Sequence, residues 1–193
     1  PENLKMIAEQ FPVNDQCFYL NHAAVAPWPR CTSNAVQKFA EENCQTGAQG
    51  YLTWLKKEQE LRLKLAKLVG SKNQDCIALV KNTSEALSIV AYGLDWQAGD
   101  IILISDDEFP SNRIVWESLA QKFGVIVKQV HISAEDPEAE ILAAINCTTD
   151  NLKPKLISIS AVQYASGIKL NLAKLGKACK ENDVLFCVDA IQA

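Results

Sequence analysis

The apolar run Val184-Leu185-Phe186-Cys187-Val188 leads directly into Asp189, and Gln192 follows shortly after. A carboxylate at the end of a buried strand costs free energy unless a partner offsets it. A turn to cap, a buried arginine, or the protonated nitrogen of a bound pyridine ring would each do so. A second chemical stretch is Lys81-Asn82-Thr83-Ser84-Glu85. Asn82 or Thr83 can cap a helix, and Glu85 stands where a capping box needs an acid if Asn82 is the cap. Thr83 and Ser84 then bring hydroxyls to a first turn whose free N–H groups attract anions, a combination suited to a phosphate. Capping alone is the plainer reading of the same residues.

Two further stretches carry polar or aromatic groups. In Asp106-Asp107-Glu108-Phe109-Pro110 the three acids are adjacent, so they cannot all face one point. With no histidine beside them in the sequence, they make a weak metal site. Phe109 could cover the flat face of a bound ring or simply fill a core. Ser160, Gln163, Tyr164 and Ser166 surround a loop that Gly167 allows to turn, and they identify no reaction by themselves.

The elements that must position these groups follow from hydrophobic patterning. Short Ile- and Val-rich runs at Ile77–Val80, Ile101–Ile104, Val125–Val130, Leu156–Ile159 and Val184–Val188 read as strands buried on both faces. Between them, Leu87, Val90, Ala91 and Leu94 recur at helical spacing. So do Val115, Leu119 and Phe123, then Ile141, Leu142 and Ile145 after Asp136-Pro137, then Leu172, Leu175 and Cys179. Alternating strands and helices predict a three-layer α/β/α domain with a mostly parallel sheet. Ligands of such sheets bind beyond the carboxyl ends of the strands, where all four stretches lie. Ahead of this domain, Pro12, Pro27 and Pro29 predict an irregular first fifty residues apart from a helix over 34–44. A second helix is predicted over 53–69, with Leu61, Leu65 and Leu68 on one face.

Composition excludes several classes. The chain has 193 residues, 48% of them hydrophobic, and a net charge of −4. It carries no basic stripe interleaved with aromatics, which argues against nucleic acid. No apolar run approaches the roughly 18 residues of a membrane helix, so no membrane is expected. Seven scattered cysteines without a CxxC pair point to a reducing cytoplasm and no metal. There is no GxGxxG or P-loop fingerprint for a nucleotide.

Four stretches together resemble one family. FYLNHAAVAP, KNTSEALSIVAYGL, GDIILISDDEFPSNRIVW and PKLISISAVQYASGIKLNLAKLGKACKENDVLFCVDAIQA stand in the order and spacing of the N-terminal part of class V aminotransferases. These form the cysteine-desulfurase-like branch of the fold-type I enzymes that use pyridoxal 5′-phosphate. The resemblance runs from about Cys17 to Ala193. It implies that residues 1–50 lie on the substrate side, and that 51–193 are the N-terminal part of the cofactor-binding large domain. Thr83 and Ser84 would hold the cofactor phosphate. Phe109 would stack on the ring, where many relatives carry histidine. Asp189 would pair with the ring nitrogen and Gln192 with the 3′-oxygen. Asn21, His22 and Ala24 would line the substrate side. Ala161 stands where desulfurases often carry an asparagine.

The lysine that carries the cofactor lies further along in the family, whereas this chain ends four residues after Asp189. No catalytic residue is therefore expected within it. The expectation is the N-terminal portion of a homodimeric enzyme acting on an amino acid, inactive alone and holding the cofactor weakly or not at all. The contrasting expectation is a non-catalytic binding or interaction protein that retains half of the fold.

Overall fold

The structure, a computed structural model, describes residues 2–147 and 153–193, and its contacts group the chain into two units, Pro1–Leu79 and Val80–Ala193. The first unit carries helices α1 (Glu2–Glu9), α2 (Arg30–Thr46) and α3 (Tyr51–Leu68). α2 runs four residues further than expected at its start and two at its end. α1 corrects the expectation of an irregular start: at two turns it is too short for its periodicity to stand out from its surroundings. Trp54 ties α3 to α2, its Nε1 donating to Glu42 Oε1 at 3.0 Å, with the Phe39 ring 5.2 Å away edge to face. The leucine repeat on α3 is real, but Leu61 and Leu68 are 44% and 80% exposed. Ala66 is the sole buried apolar side chain among the described residues of this unit.

The second unit is built on four strands: β1 (Ile101–Ser105), β2 (Ile126–Val130), β3 (Leu156–Ser160) and β4 (Leu185–Asp189). They lie in the order β2-β1-β3-β4, all parallel. Of the five expected strands, Ile77–Val80 is not one. A strand exists through its neighbour, and no described segment pairs with this run, whose Leu79 and Val80 stay 39% exposed. The helices are α4 (Thr83–Tyr92), α5 (Ser111–Phe123), α6 (Ala139–Ile145) and α7 (Leu172–Glu181). Gly124 terminates α5 in the left-handed conformation (φ 70°), where a side chain would be strained.

Strand side chains alternate between faces, and the core divides accordingly. Ile102, Ile104 and Leu156 pack with Leu87 and Ala91 of α4 and with Val115, Trp116 and Leu119 of α5. Leu103, Ile157 and Ile159 pack on the other face with Ile141 and Ile145 of α6 and with Leu175 and Cys179 of α7. The expected three layers are thus present. β1 and β3 are buried along their whole length, as central strands should be.

The strand ladders are unequal. β1 pairs with β2 from Ile101 to Ser105, and β3 with β4 from Leu156 to Ser160. β1 pairs with β3 only at Ile102↔Leu156 and Leu103↔Ile157. Toward their carboxyl ends, therefore, the two central strands are no longer joined by the ladder. The strand order also reverses direction there, because β1 connects outward to β2 while the next crossover returns past β1 to β3. In α/β sheets such a switch point is where ligands bind.

Candidate cofactor-binding site

Asp189 ends β4 and is 6% exposed. Its Oδ1 accepts the Ile191 N–H at 3.0 Å, so it does cap the following turn. Among the described residues no lysine, arginine or histidine forms an ion pair with it. Gln192 lies half-buried in that turn, which the Ala193 N–H closes onto the Ala190 carbonyl at 3.1 Å.

The start of α4 is fixed by Asn82, whose Oδ1 accepts the Glu85 N–H at 2.9 Å. Glu85 reaches back in turn, its Oε2 accepting the Lys81 N–H at 2.7 Å. This is a capping box displaced by one residue, since the acid takes the N–H before the cap rather than that of the cap itself. Thr83 and Ser84 occupy the first two helical positions, where backbone N–H groups have no acceptor within the helix. Thr83 and Asp189 line one groove of about 530 Å³ together with Asn82, Leu87, Val188 and Ile191. Ser84 and Phe109 line a second hollow of about 480 Å³, with Ser88, Tyr92 and Ile114. Phe109 is 47% exposed, and it meets Tyr164 edge to face with ring centroids 5.2 Å apart.

Asn21, His22 and Ala24 are exposed residues of the first unit. The Ala24 N–H bonds the Asn21 carbonyl at 3.2 Å, and Tyr19 packs against the His22 ring while its hydroxyl donates to the Val25 carbonyl at 2.6 Å. Ala161 is buried just past β3, its N–H donating to the Asp189 carbonyl at 2.8 Å.

The three adjacent acids do diverge. Asp106 faces His131, whose Nδ1 lies 2.7 Å from the Asp106 Oδ2. A histidine is therefore close after all, brought from the end of β2. That hydrogen bond, and the charge behind it, hold the His131 pKa above its ordinary value of 6.5. No group of three or more possible metal ligands occurs among the described residues.

Glu108, which sequence reasoning left as one acid among three, is the hub of a buried network and 5% exposed. Its Oε1 accepts from the Ser160 N–H at 2.8 Å and from the Ser105 hydroxyl at 3.0 Å. Its Oε2 accepts from the Ser160 hydroxyl at 2.6 Å and from Asn112 Nδ2 at 2.8 Å. Gln163 Nε2 stands 3.5 Å from Oε1. Asn112 Oδ1 accepts in turn from Trp116 Nε1 at 3.1 Å and from the Ser158 hydroxyl at 2.5 Å. One signal was present in the sequence: Glu108 in the loop before α5 and Asn112 and Trp116 within it recur every four residues, and Asn112 and Trp116 are buried on α5 with Val115 and Leu119. Cys187 lies beside this network, and burial pushes its thiol pKa up, which suppresses the nucleophilic thiolate.

Comparison with known proteins gives this arrangement its relatives. The chain is 30% identical, over 97% of its length and 46% of the relative's, to a probable cysteine desulfurase of Methanothermobacter thermautotrophicus. Among solved structures it resembles the cysteine desulfurase CsdA of Escherichia coli, with a TM-score of 0.80 and 22% identity over 98% of this chain and 48% of that one. It likewise resembles a mutant of C-DES with glycine covalently linked to its PLP cofactor, with a TM-score of 0.83 and 24% identity over 95% and 49%. At these identities the structural likeness establishes the fold. The chain spans about half the length of the relatives it matches. An aminotransferase class-V family profile matches residues 18–193, and the chain belongs to that family.

Proposed function

We propose that the chain is the cofactor-anchoring portion of a pyridoxal phosphate-dependent enzyme of the cysteine-desulfurase-like kind, acting on an amino acid. The carrying observation is Asp189: a buried carboxylate without an ion-pair partner among the described residues, lining the same groove as the first turn of α4. These donors and acceptors fit the cofactor. Its phosphate needs N–H and hydroxyl donors, which Thr83 and Ser84 offer at a helix N-terminus. Its ring nitrogen needs an acid, which Asp189 offers.

When bound, the cofactor withdraws electrons from the α-carbon of an amino acid. The chain's own residues would serve that chemistry as follows. Thr83 and Ser84 donate hydrogen bonds to the phosphate and fix its position. Asp189 accepts from the protonated ring nitrogen and keeps it charged. Gln192 donates to the 3′-oxygen. Phe109 covers one ring face and excludes water, and unlike a histidine it neither gives nor takes a proton there. The family resemblance assigns Asn21, His22 and Ala24 to the substrate side. None of the chain's lysines is assigned the covalent link. On this reading the protein works in the cytoplasm as a homodimer, consistent with unpaired cysteines and with exposed Ile89 and Ile114 on α4 and α5.

The test is a titration of the full-length polypeptide with pyridoxal phosphate, followed by absorbance. Saturable binding that inorganic phosphate competes away is expected. Asp189→Asn should leave the protein folded and lower kcat by about 100-fold, the scale of losing one preorganised charge contact at a reacting centre. No saturable binding, or a borohydride-stable adduct on a lysine of residues 1–193, would refute the reading.

A further inference from the structure

The polar network beneath the site is placed where the sheet itself is weakest. β1 and β3 share a ladder only at residues 102–103 and 156–157. The two loops that follow these strands carry Phe109 on one side and Tyr164 on the other. No β1–β3 ladder pairing reaches them, yet the two rings meet at 5.2 Å. The connection between the loops is made by side chains. The Ser160 N–H, at the end of β3, donates to the Glu108 carboxylate rather than to a β1 carbonyl. The Ser160 hydroxyl donates to the other oxygen, and Ser105 and Gln163 meet across the same gap at 3.3 Å.

We propose that Glu108 is a positioning residue: its carboxylate clamps the loop after β1 to the loop after β3 and so sets the Phe109–Tyr164 pair over the cofactor ring. The inference rests on the pyridoxal phosphate reading above. Glu108 lies directly before Phe109, so anchoring its side chain restrains the backbone that carries the stacking ring. All its partners donate, and a carboxylate is the one side-chain group that accepts at both ends. Glutamine in its place would set an NH₂ against a donor in either orientation. It would face the Ser160 N–H at one oxygen position or Asn112 Nδ2 at the other. Asn112 cannot turn to accept, because its Oδ1 already takes the Trp116 and Ser158 donors. Exchanging both partners restores the pairing, since aspartate at position 112 accepts from the new amide and still serves Trp116 and Ser158.

The experiment compares wild type, Glu108→Gln and the double variant Glu108→Gln/Asn112→Asp in the full-length polypeptide. It reads pyridoxal phosphate Kd, the induced circular dichroism of the bound cofactor, and the Tm of the cofactor-free protein. Glu108→Gln should weaken binding about tenfold and diminish the induced dichroism, as expected for one misplaced buried hydrogen bond to a charged group. The double variant should recover both signals. A Glu108→Gln protein with a lowered Tm but unchanged Kd and dichroism would overturn the proposal and leave Glu108 a structural residue. Failure of the double variant to recover would also overturn it. If Glu108→Gln does not fold, Ser160→Ala removes one donor and spares the backbone bonds, and an unchanged Kd and dichroism there overturns the clamp. A wild-type protein that fails to bind the cofactor refutes the pyridoxal phosphate reading itself, and the clamp with it, whereas tight wild-type binding with an unaffected variant refutes the clamp alone.

Discussion

At the residue scale, what the sequence revealed depended on whether one position was enough. The buried position of Asp189 was legible because an acid directly after an apolar run ends a buried strand, and the start of α4 because a cap marks its own first turn. Glu108 was not, because its role comes from Ser160, some fifty residues away, and from Asn112, one helical turn on. His131 was missed beside Asp106 for the same reason: their proximity follows from the parallel pairing of β1 with β2. This pair makes a pH prediction. Hydrogen bonding to Asp106 raises the His131 pKa in the folded protein above 6.5. The contribution to stability is then fully present below the unfolded value and fades as pH rises through the folded one. Both side chains are well exposed, at 68% and 41%, so solvent screens the effect and it is small. An NMR titration of His131 should show the raised pKa, and Asp106→Asn should return it toward 6.5; the same midpoint in both proteins would contradict this assignment.

At the element scale, strand runs and helix faces were readable wherever local pattern and tertiary burial agreed. The four strands of the sheet fall within a residue or two of their Ile- and Val-rich runs. Of the residues marked by periodicity, α4, α5 and α7 bury Leu87, Ala91, Val115, Leu119, Leu175 and Cys179, whereas Val90 and Phe123 stay exposed. Ile77–Val80 has the same composition but no pairing neighbour among the described residues, a property no local pattern encodes. The α1 helix failed differently, since two turns carry too little periodicity to be distinguished. α4 offers the cleanest test of local reasoning. Asn82 holds the Glu85 N–H, and Glu85 holds the Lys81 N–H, so removing the Asn82 side chain leaves the Glu85 N–H without its acceptor. Asn82→Ala should destabilise by about 1 kcal/mol in denaturant unfolding. An unchanged midpoint would mean that packing of Leu87 and Ala91 alone fixes where α4 begins.

At the scale of the whole molecule, the three-layer architecture was legible because alternation of strand and helix is a property of the entire chain. The uneven distribution of burial was not, because amphipathic helices look alike whether or not a partner covers them. α3 shows this, with a leucine repeat that stays open to solvent. The fully buried apolar side chains among the described residues belong to Val80–Ala193, with Ala66 the exception. That asymmetry has a calorimetric consequence. The heat-capacity increment of unfolding arises from newly wetted apolar surface, at about 12–15 cal/mol/K per residue in ordinary domains. For these 193 residues, scanning calorimetry should therefore return less than the roughly 2.5 kcal/mol/K of an evenly buried chain of this length, shifted toward the about 1.5 kcal/mol/K of the second unit by itself. The stability curve would then be flatter, and cold would weaken the protein less than its length implies.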